Sequence, residues 1–179
     1  MAIAMKAKRD SDRFPMATAS FRIREARLPQ DIPVIHEFIL ELQRFEHELE
    51  PNRRLDHAVA ADYFADLEKK VRETNGTILI AEDQGAHPLG WAAAHETEED
   101  IYVVAEQRRV GYLAELYIVE GARGLGVGRK LIAECETWAR RRGLPIITIG
   151  VLPKNTRAFT LYERSGYDPY ATLLRKYLR

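Results

Sequence analysis

The first half of the chain alternates between strand-type and helix-type spacing of its apolar residues. Residues 21–27 alternate apolar and polar side chains, as a half-buried strand does. Helical spacing follows over about 31–47, where Asp31 is placed to cap the helix, and again over about 56–73, which an Asn-Gly pair ends. The pattern therefore predicts one strand followed by two amphipathic helices.

The middle of the chain predicts three consecutive strands. Apolar runs cover residues 77–82, 88–96 and 111–119, with a Gly85-containing turn between the first two. Strands joined by short connections are most often antiparallel neighbours, so we expect antiparallel pairing here. The charged stretch 97–110 has no clear period, and no element is predicted for it.

The next part of the chain predicts a β-α-β unit. Residues 127–142 have helical spacing that ends at Gly143, and the continuous apolar run 146–151 is typical of a strand buried on both faces. Together with the strand at 111–119, this pattern predicts two parallel strands joined by a right-handed crossover.

A further helix over 155–165 and a last strand near 169–177 complete the predicted elements. The fold class is therefore α/β, in an α+β arrangement: a mixed, mostly antiparallel sheet with a central β-α-β unit and helices on both faces. We expect a single domain over 20–179. Residues 1–19 have no sustained periodicity and are expected to form a loose tail, in which Met16 is a candidate alternative start.

Composition and charge narrow the class of partner. The 179 residues are 46% apolar and 30% charged, as in a soluble globular domain. The 27 basic and 27 acidic residues balance, so no overall field favours nucleic acid or an anionic membrane, and neither partner is expected. Cys135 is the single cysteine, which agrees with a reducing compartment. We therefore expect a cytoplasmic protein without a membrane span.

The most distinctive stretch is the glycine-rich segment 121–130, GARGLGVGRK, at the predicted strand-to-helix junction. Unpaired N–H groups and the positive dipole end of a helix N-terminus favour an anion there, and glycines allow its close approach. A dinucleotide-binding fingerprint counted from Gly124 requires glycine where Arg129 stands. A P-loop counted from Gly121 requires lysine where Val127 stands, so neither motif fits.

A third phosphate-binding pattern does fit. Arg123, Gly126 and Gly128 match the signature Q/R-x-x-G-x-G/A, and here the sequence resembles the GNAT superfamily of N-acetyltransferases. The second conserved block of that family is matched further along the chain by Asn155, Ala158, Tyr162, Gly166 and Tyr167. Two blocks in the right order make the resemblance firm over about 111–170.

The resemblance implies acetyl-CoA as co-substrate, with its pyrophosphate on the glycine-rich loop and its pantetheine arm beside the preceding strand. The implied cofactor-binding residues are Leu116, Tyr117, Ile118, Arg123, Gly124, Leu125, Gly126, Val127, Gly128, Arg129, Asn155 and Tyr162. The acceptor would be a primary amine that attacks the thioester directly. An amine with a pKa of about 10.4 must first lose a proton.

Two residues are candidates for proton transfer. The resemblance implies that Tyr162 protonates the departing CoA thiolate. Alternatively, Tyr162 is only a core residue, because it shares a helix face with Asn155 and Phe159. Asn155 itself could contact pantetheine or simply cap its helix. Glu115 is the one charge in an apolar strand and is our candidate base; the alternative is a solvated side chain on a half-covered strand.

The other reactive groups receive structural interpretations. The five histidines have no metal-ligand spacing, so no metal is expected, and Cys135 lies on an apolar helix stripe and is expected to be buried. Acidic residues crowd the first helix and the loop after it, either as a solvated face or as the border of a site for a cationic acceptor. They are Glu37, Glu41, Glu46, Glu48 and Glu50.

Two functional hypotheses follow. The first is an N-acetyltransferase that moves an acetyl group from acetyl-CoA to a primary amine of a small molecule or a protein. The alternative is a non-catalytic acyl-CoA-binding regulatory protein that keeps the cofactor loop. The sequence is compatible with a homodimer but does not determine the oligomeric state.

Overall fold

The computed structural model describes residues 20–178, so the predicted tail at 1–19 lies outside it. Within this range the chain forms five strands and four α-helices. In chain order they are β1 (Phe21–Glu25), α1 (Ile32–Leu49), α2 (Ala58–Glu73), β2 (Thr77–Asp83), β3 (Pro88–Glu98), β4 (Arg109–Ile118), α3 (Val127–Arg141), β5 (Ile147–Ile149) and α4 (Thr156–Glu163). The four predicted helices and the first five predicted strands are all present, with small shifts at their ends.

The five strands form one sheet in the order β1-β2-β3-β4-β5. The first four are antiparallel, whereas β4 and β5 are parallel, which confirms the predicted β-α-β unit. One core lies between the sheet and the pair α1 and α2, around Trp91 and Phe64. A second core lies on the opposite face, where Leu131 of α3 packs with Leu113. The sheet is therefore covered by helices on both faces, as the pattern predicted.

The last predicted strand, near 169–177, is wrong. No residue between 167 and 178 has strand or helix structure, and the large apolar side chains of this segment are exposed. The segment reaches the C-terminal end of α1, where Arg175 Nη2 donates to Glu50 Oε1 at 2.6 Å. A strand pattern states only a local preference, and the tertiary contacts of the segment decide whether it pairs.

The strand predicted over 146–151 is shorter and less buried than expected. Only Ile147–Ile149 are paired, and all three residues are half-buried. The strand is the last one in the sheet, so no strand covers its outer edge in the part of the chain that the structure describes. Its continuous apolar pattern therefore does not correspond to burial on both sides.

The predicted capping role of Asp31 is also wrong. The Asp31 side chain makes no cap hydrogen bond to α1. Its carboxylate instead accepts from Arg24 Nη1 at 2.7 Å and from the Arg27 backbone N–H at 2.6 Å, and Arg24 holds the pKa of this carboxyl below its usual range. Arg24 also donates to the buried Glu82 at 2.7 Å. Asp31 therefore ties the start of α1 to β1 and β2.

A β-bulge in β4 sets the direction of the residues that follow it. Ala93 of β3 pairs with Glu115 and the next residue, Ala94, pairs with Leu113, so Ala114 is one residue too many on β4. Leu113 packs on the α3 side, whereas Ala114 and Tyr117 pack on the α1 and α2 side. The extra residue reverses the alternation of side chains along the strand.

The bulge also marks the point where β4 and β5 stop pairing. The two strands are paired only from Gly111 to Leu113 on β4, and β5 ends opposite Leu113. On the side of β5, residues 114–118 of β4 therefore have no strand beside them within residues 20–178. We call the space beside this unpaired edge, directly before the glycine-rich loop, the cleft.

Close contact between β3 and β4 at the end of this cleft requires Gly90. A Cβ at this position would overlap the carbonyl oxygen of Tyr117 and contact Ile118. We expect Gly90→Ala to lower the free energy of unfolding by about 2 kcal/mol, measured by urea denaturation, because overpacking forces backbone shifts. Gly121→Ala is the control, since a Cβ there has no heavy atom within 4 Å. Equal stability of the two variants would contradict this expectation.

Candidate active site

The glycine-rich loop forms an open cradle of backbone amides at the N-terminus of α3. Gly124 and Gly126 have φ angles of +83° and +87°, which only glycine adopts without strain. No backbone acceptor within residues 20–178 takes the N–H groups of Gly126, Val127, Gly128 or Arg129. A Cβ added at Gly126 would meet no heavy atom within 4 Å. Free amides facing open space at a helix N-terminus suit a phosphate group.

Gly128 and Arg123 shape this cradle in different ways. A Cβ on Gly128 would lie 3.2 Å from Leu161 and 3.6 Å from Ile118, so this glycine lets α3 approach α4 and β4. Arg123 Nε donates to the carbonyl oxygen of Ile118 at 3.0 Å. The arginine therefore fastens the loop to the end of β4. Leu125, between the two glycines with positive φ, is exposed.

The strand residues before the loop divide between the two faces of the sheet. Leu116 and Ile118 pack towards the α3 core. The Tyr117 side chain lies on the other face, where its hydroxyl donates to Glu41 of α1 and its ring lies 5.3 Å from that of Phe38. Burial raises the pKa of Tyr117 to about 12. Tyr117 therefore presents its backbone to the cleft edge and its phenol to α1.

Glu115 is a buried carboxylate next to the bulge. The residue is 9% exposed, and its Oε2 has no hydrogen-bond partner within the described residues. Burial raises the pKa of Glu115 to about 7. A hydrogen bond from the Tyr63 hydroxyl lowers the pKa because it stabilises the charged carboxylate, and the negative charge of Glu46 raises the pKa further. The alternative of a solvated side chain is therefore wrong. A carboxyl with a pKa near neutrality suits a general base.

Tyr162 is a buried phenol on α4. The residue is 9% exposed and packs in the α3-side core beside Tyr167, with ring centroids 6.1 Å apart. Burial raises the pKa of Tyr162 well above its usual range, and the charges of Glu115 and Glu46 raise it further. Tyr162 therefore keeps its proton at neutral pH and combines a packed ring with a possible donor hydroxyl.

Asn155 begins α4 as a helix cap. Its side-chain oxygen accepts from the Ala158 backbone N–H at 3.1 Å. The buried stripe of α4 runs through Ala158, Leu161 and Tyr162, whereas Phe159 is 36% exposed. The predicted grouping of Phe159 with Tyr162 on one core face is therefore wrong, because the buried stripe follows Ala158 and Tyr162, four residues apart, and Phe159 lies outside it. The cap fixes the start of the helix that carries Tyr162.

Comparison with known proteins identifies the family of this chain. The family model described as the acetyltransferase (GNAT) family matches residues 36–167. The chain belongs to the GNAT family. It is an acyl-CoA-dependent N-acyltransferase that transfers an acetyl group to an amine, with acetyl-CoA as co-substrate.

Relatives of this acetyltransferase are recognisable in sequence and in fold. The mouse (Mus musculus) thialysine N-epsilon-acetyltransferase is 30% identical over 154 residues, which cover 83% of this chain and 84% of that protein. The uncharacterized N-acetyltransferase YhfO of Bacillus subtilis is 28% identical over 102 residues. These residues cover 57% of this chain and 65% of YhfO, so the matched part is slightly less than two thirds of YhfO. A predicted acetyltransferase from Clostridium acetobutylicum, solved with acetyl-CoA, shares the fold at a TM-score of 0.68 and 19% identity, covering 88% and 96% of the two chains.

Two tyrosines near Glu115 were not identified from the sequence. Tyr63 lies on the apolar stripe of α2, so its pattern indicates only a core residue. Tyr112 precedes the bulge on β4, and a Cβ on Gly150 would lie 3.3 Å from its hydroxyl. Burial raises the pKa of Tyr63 and of Tyr112, and the charge of Glu115 raises both further. Their position at the carboxylate depends on how α2 and β5 pack against β4, which no local pattern states.

The remaining reactive groups have structural surroundings. Cys135 is fully buried, as predicted, and burial raises the pKa of its thiol to about 12. Within residues 20–178, no three His, Cys, Asp or Glu side chains are grouped as a metal site would need. None of the helices in this range is long and apolar enough to cross a membrane.

The cradle can be tested with two valine substitutions that carry similar backbone strain. Gly126→Val should weaken acetyl-CoA binding at least tenfold, a loss of about 1.4 kcal/mol or more, because the side chain fills the space before the amides. Gly143→Val is the matched control: Gly143 lies beyond the other end of α3, has φ +69° and has no heavy atom within 4 Å of an added Cβ. Calorimetry that finds wild-type affinity in folded Gly126→Val would contradict the assignment.

The raised pKa of Glu115 also predicts how stability depends on pH. The native state binds the Glu115 proton more tightly than the unfolded chain does. Proton binding by Glu115 therefore stabilises the native state fully below the ordinary pKa of about 4.5, and this stabilisation is lost as the pH rises through about 7. Between pH 4 and pH 8 the wild type should lose about 3 kcal/mol of unfolding free energy relative to Glu115→Gln. Urea denaturation at both pH values measures the difference; parallel pH profiles would contradict it.

Proposed function

We propose that this acetyltransferase acetylates the primary amine of a small cationic molecule, with Glu115 as base and Tyr162 as acid. The observation that carries the proposal is a buried carboxylate with a free oxygen and a pKa near 7, whose charge also raises the pKa of the buried Tyr162 phenol. The two groups differ in protonation at neutral pH, as an acid and a base acting in one reaction must.

The charge around Glu115 supports a cationic acceptor. Glu41 and Glu46 of α1 lie on the same side of the sheet: Glu41 accepts from Tyr117, and Glu46 pairs with Arg53 at 2.7 Å. Carboxylates on this side favour a protonated amine over a neutral one. The mouse relative is named for thialysine, and this name supports an acceptor of the size of an amino acid.

The proposed reaction gives a separate role to the loop, the β4 edge, Glu115 and Tyr162. The loop amides from Gly124 to Arg129 hold the pyrophosphate, and the free edge of β4 pairs with the pantetheine arm as an added strand would. Glu115 accepts a proton from the ammonium group, directly or through water. The neutral amine attacks the thioester carbonyl carbon, the carbon–sulfur bond breaks, and Tyr162 donates its proton to the thiolate.

The cellular setting is part of the proposal. A single buried thiol supports work in the reducing cytoplasm. The balanced overall charge supports a small-molecule acceptor over a nucleic acid or an anionic membrane. A non-catalytic acyl-CoA-binding protein is the rival function, and it has no use for a proton donor beside a base.

A kinetic comparison of two variants tests the proposed roles. Tyr162→Phe keeps the packed ring and should lower kcat about 10²-fold with little change in acetyl-CoA affinity, because only the donor is lost. Glu115→Gln should lower kcat/KM and remove the acidic limb of its pH profile near pH 7. The assay follows release of the CoA thiol over a panel of small primary amines, amino acids and peptides.

Tyr102→Phe serves as the control, since Tyr102 is 82% exposed and lies on the loop between β3 and β4. A kcat within about twofold of wild type in Tyr162→Phe would make Tyr162 a packing residue. An unchanged acidic limb in Glu115→Gln would place the base elsewhere. No thiol release with any amine, despite tight acetyl-CoA binding, would favour the rival function.

A further inference from the structure

Polar contacts hold the C-terminal half of α1 in place beside the active site. Glu41 accepts a hydrogen bond from the hydroxyl of Tyr117 on β4, a residue that is only 6% exposed. More exposed cations on two loops also contact this half of the helix. They are Arg53, which donates to Glu46 at 2.7 Å, and Lys154, which donates to the carbonyl oxygen of Leu49 at 2.8 Å. A buried donor is costly to leave without a partner, so the contact with Tyr117 constrains α1 most strongly.

Packing fixes the place of the Tyr117 ring between β4 and α1. The ring lies 5.3 Å from that of Phe38 on α1, and Tyr117 pairs across the strands with Trp91, in the core under α1 and α2. Burial and the Glu41 carboxylate raise the pKa of Tyr117 to about 12, so the phenol keeps its proton at neutral pH. The hydroxyl is therefore a donor at a defined position, and it orients Glu41 together with the turn of α1 that carries it.

The phenol of Tyr117 is separate from the part of this residue that the cofactor would use. The backbone of Tyr117 belongs to the free edge of β4, which the proposed function assigns to the pantetheine arm. The side chain lies on the other side of the strand, against α1. A change of the phenol therefore leaves the main chain that would bind acetyl-CoA in place.

The same half of α1 carries a charge that acts on the proposed base. Glu46 follows Glu41 by five residues, or roughly one and a half turns of the helix. The negative charge of Glu46 raises the pKa of the Glu115 carboxyl and that of Tyr162. The position of α1 relative to β4 therefore determines how Glu46 and Glu115 together surround a cationic amine.

We propose that Tyr117 is a positioning residue for the amine site, a role that rests on the proposed function. Through Glu41, its hydroxyl holds the C-terminal half of α1 at the separation from β4 that the acceptor needs. The hydrogen bond takes no part in proton transfer. Its loss should weaken binding of the amine and leave the chemical step and acetyl-CoA binding nearly unchanged, which appears as a rise in KM at constant kcat.

Steady-state kinetics of Tyr117→Phe test this role with the small primary amine that gives the highest kcat/KM in the panel described above. The KM for the amine should rise about tenfold, as expected for the loss of one hydrogen bond to a charged group. The kcat and the acetyl-CoA Kd from calorimetry should stay within about twofold of wild type. Tyr102→Phe, which removes an exposed hydroxyl, is the control and should change none of these values.

Variants of Glu41 separate the hydrogen bond from the charge, and they change an exposed position where folding is not at stake. Glu41→Ala should raise the amine KM as much as Tyr117→Phe does. Glu41→Gln keeps an oxygen acceptor for the phenol, so its amine KM should stay within about threefold of wild type. The double variant with Tyr117→Phe and Glu41→Ala should be no worse than Glu41→Ala alone, because both changes remove the same bond.

The outcomes distinguish this role from the proposed function itself. If no amine of the panel is acetylated, the proposed function fails and the role of Tyr117 fails with it. If an amine is acetylated and Tyr117→Phe keeps the wild-type KM, only the positioning role is overturned. A combined loss of kcat and acetyl-CoA affinity in Tyr117→Phe, additive effects in the double variant, or a Glu41→Gln protein as impaired as Glu41→Ala would also overturn the positioning role.

Discussion

The bulge at Ala114 determines which helices Glu115 faces. A regular strand would place residues 113 and 115 on the same side, and Glu115 would then point into the apolar core under α3. The inserted residue turns the carboxylate towards α1 and α2, where Tyr63 and Glu46 influence it. The same irregularity stands where β5 stops pairing, so the cleft and its buried acid arise from one local feature.

The two ends of the cleft have opposite electrostatic character. At the glycine-rich loop, backbone N–H groups and the helix dipole favour negative charge without any buried cation. Towards α1, the carboxylates of Glu41, Glu46 and Glu115 favour positive charge. Under the proposed function, an anionic nucleotide and a cationic amine would therefore bind at different places.

Local pattern was enough to predict the helices, the first five strands and the loop signature, because periodicity and glycine spacing are properties of neighbouring residues. Prediction from local pattern failed where a contact with a residue distant in the sequence determines the structure. Asp31 has the type and place of a helix cap, yet Arg24 from β1 takes its carboxylate. Residues 169–177 have a strand pattern but form no strand, although the outer edge of β5 is unpaired within residues 20–178. Tyr63 and the bulge at Ala114 became visible only through the pairing of α2, β3 and β4.

The contact from Arg123 to Ile118 gives the first position of the loop signature a physical meaning. The family signature accepts glutamine or arginine there, two side chains that differ in charge but share an N–H donor. Arg123 uses its Nε–H to hold a strand carbonyl at 3.0 Å, and its guanidinium carbon lies 6.0 Å from the centre of the Tyr117 ring. A glutamine at this position could supply the N–H donor of Arg123, but it has no positive charge for a phosphate. In this structure the position therefore holds the loop to the end of β4, and the proposed function needs only the main chain to bind the anion.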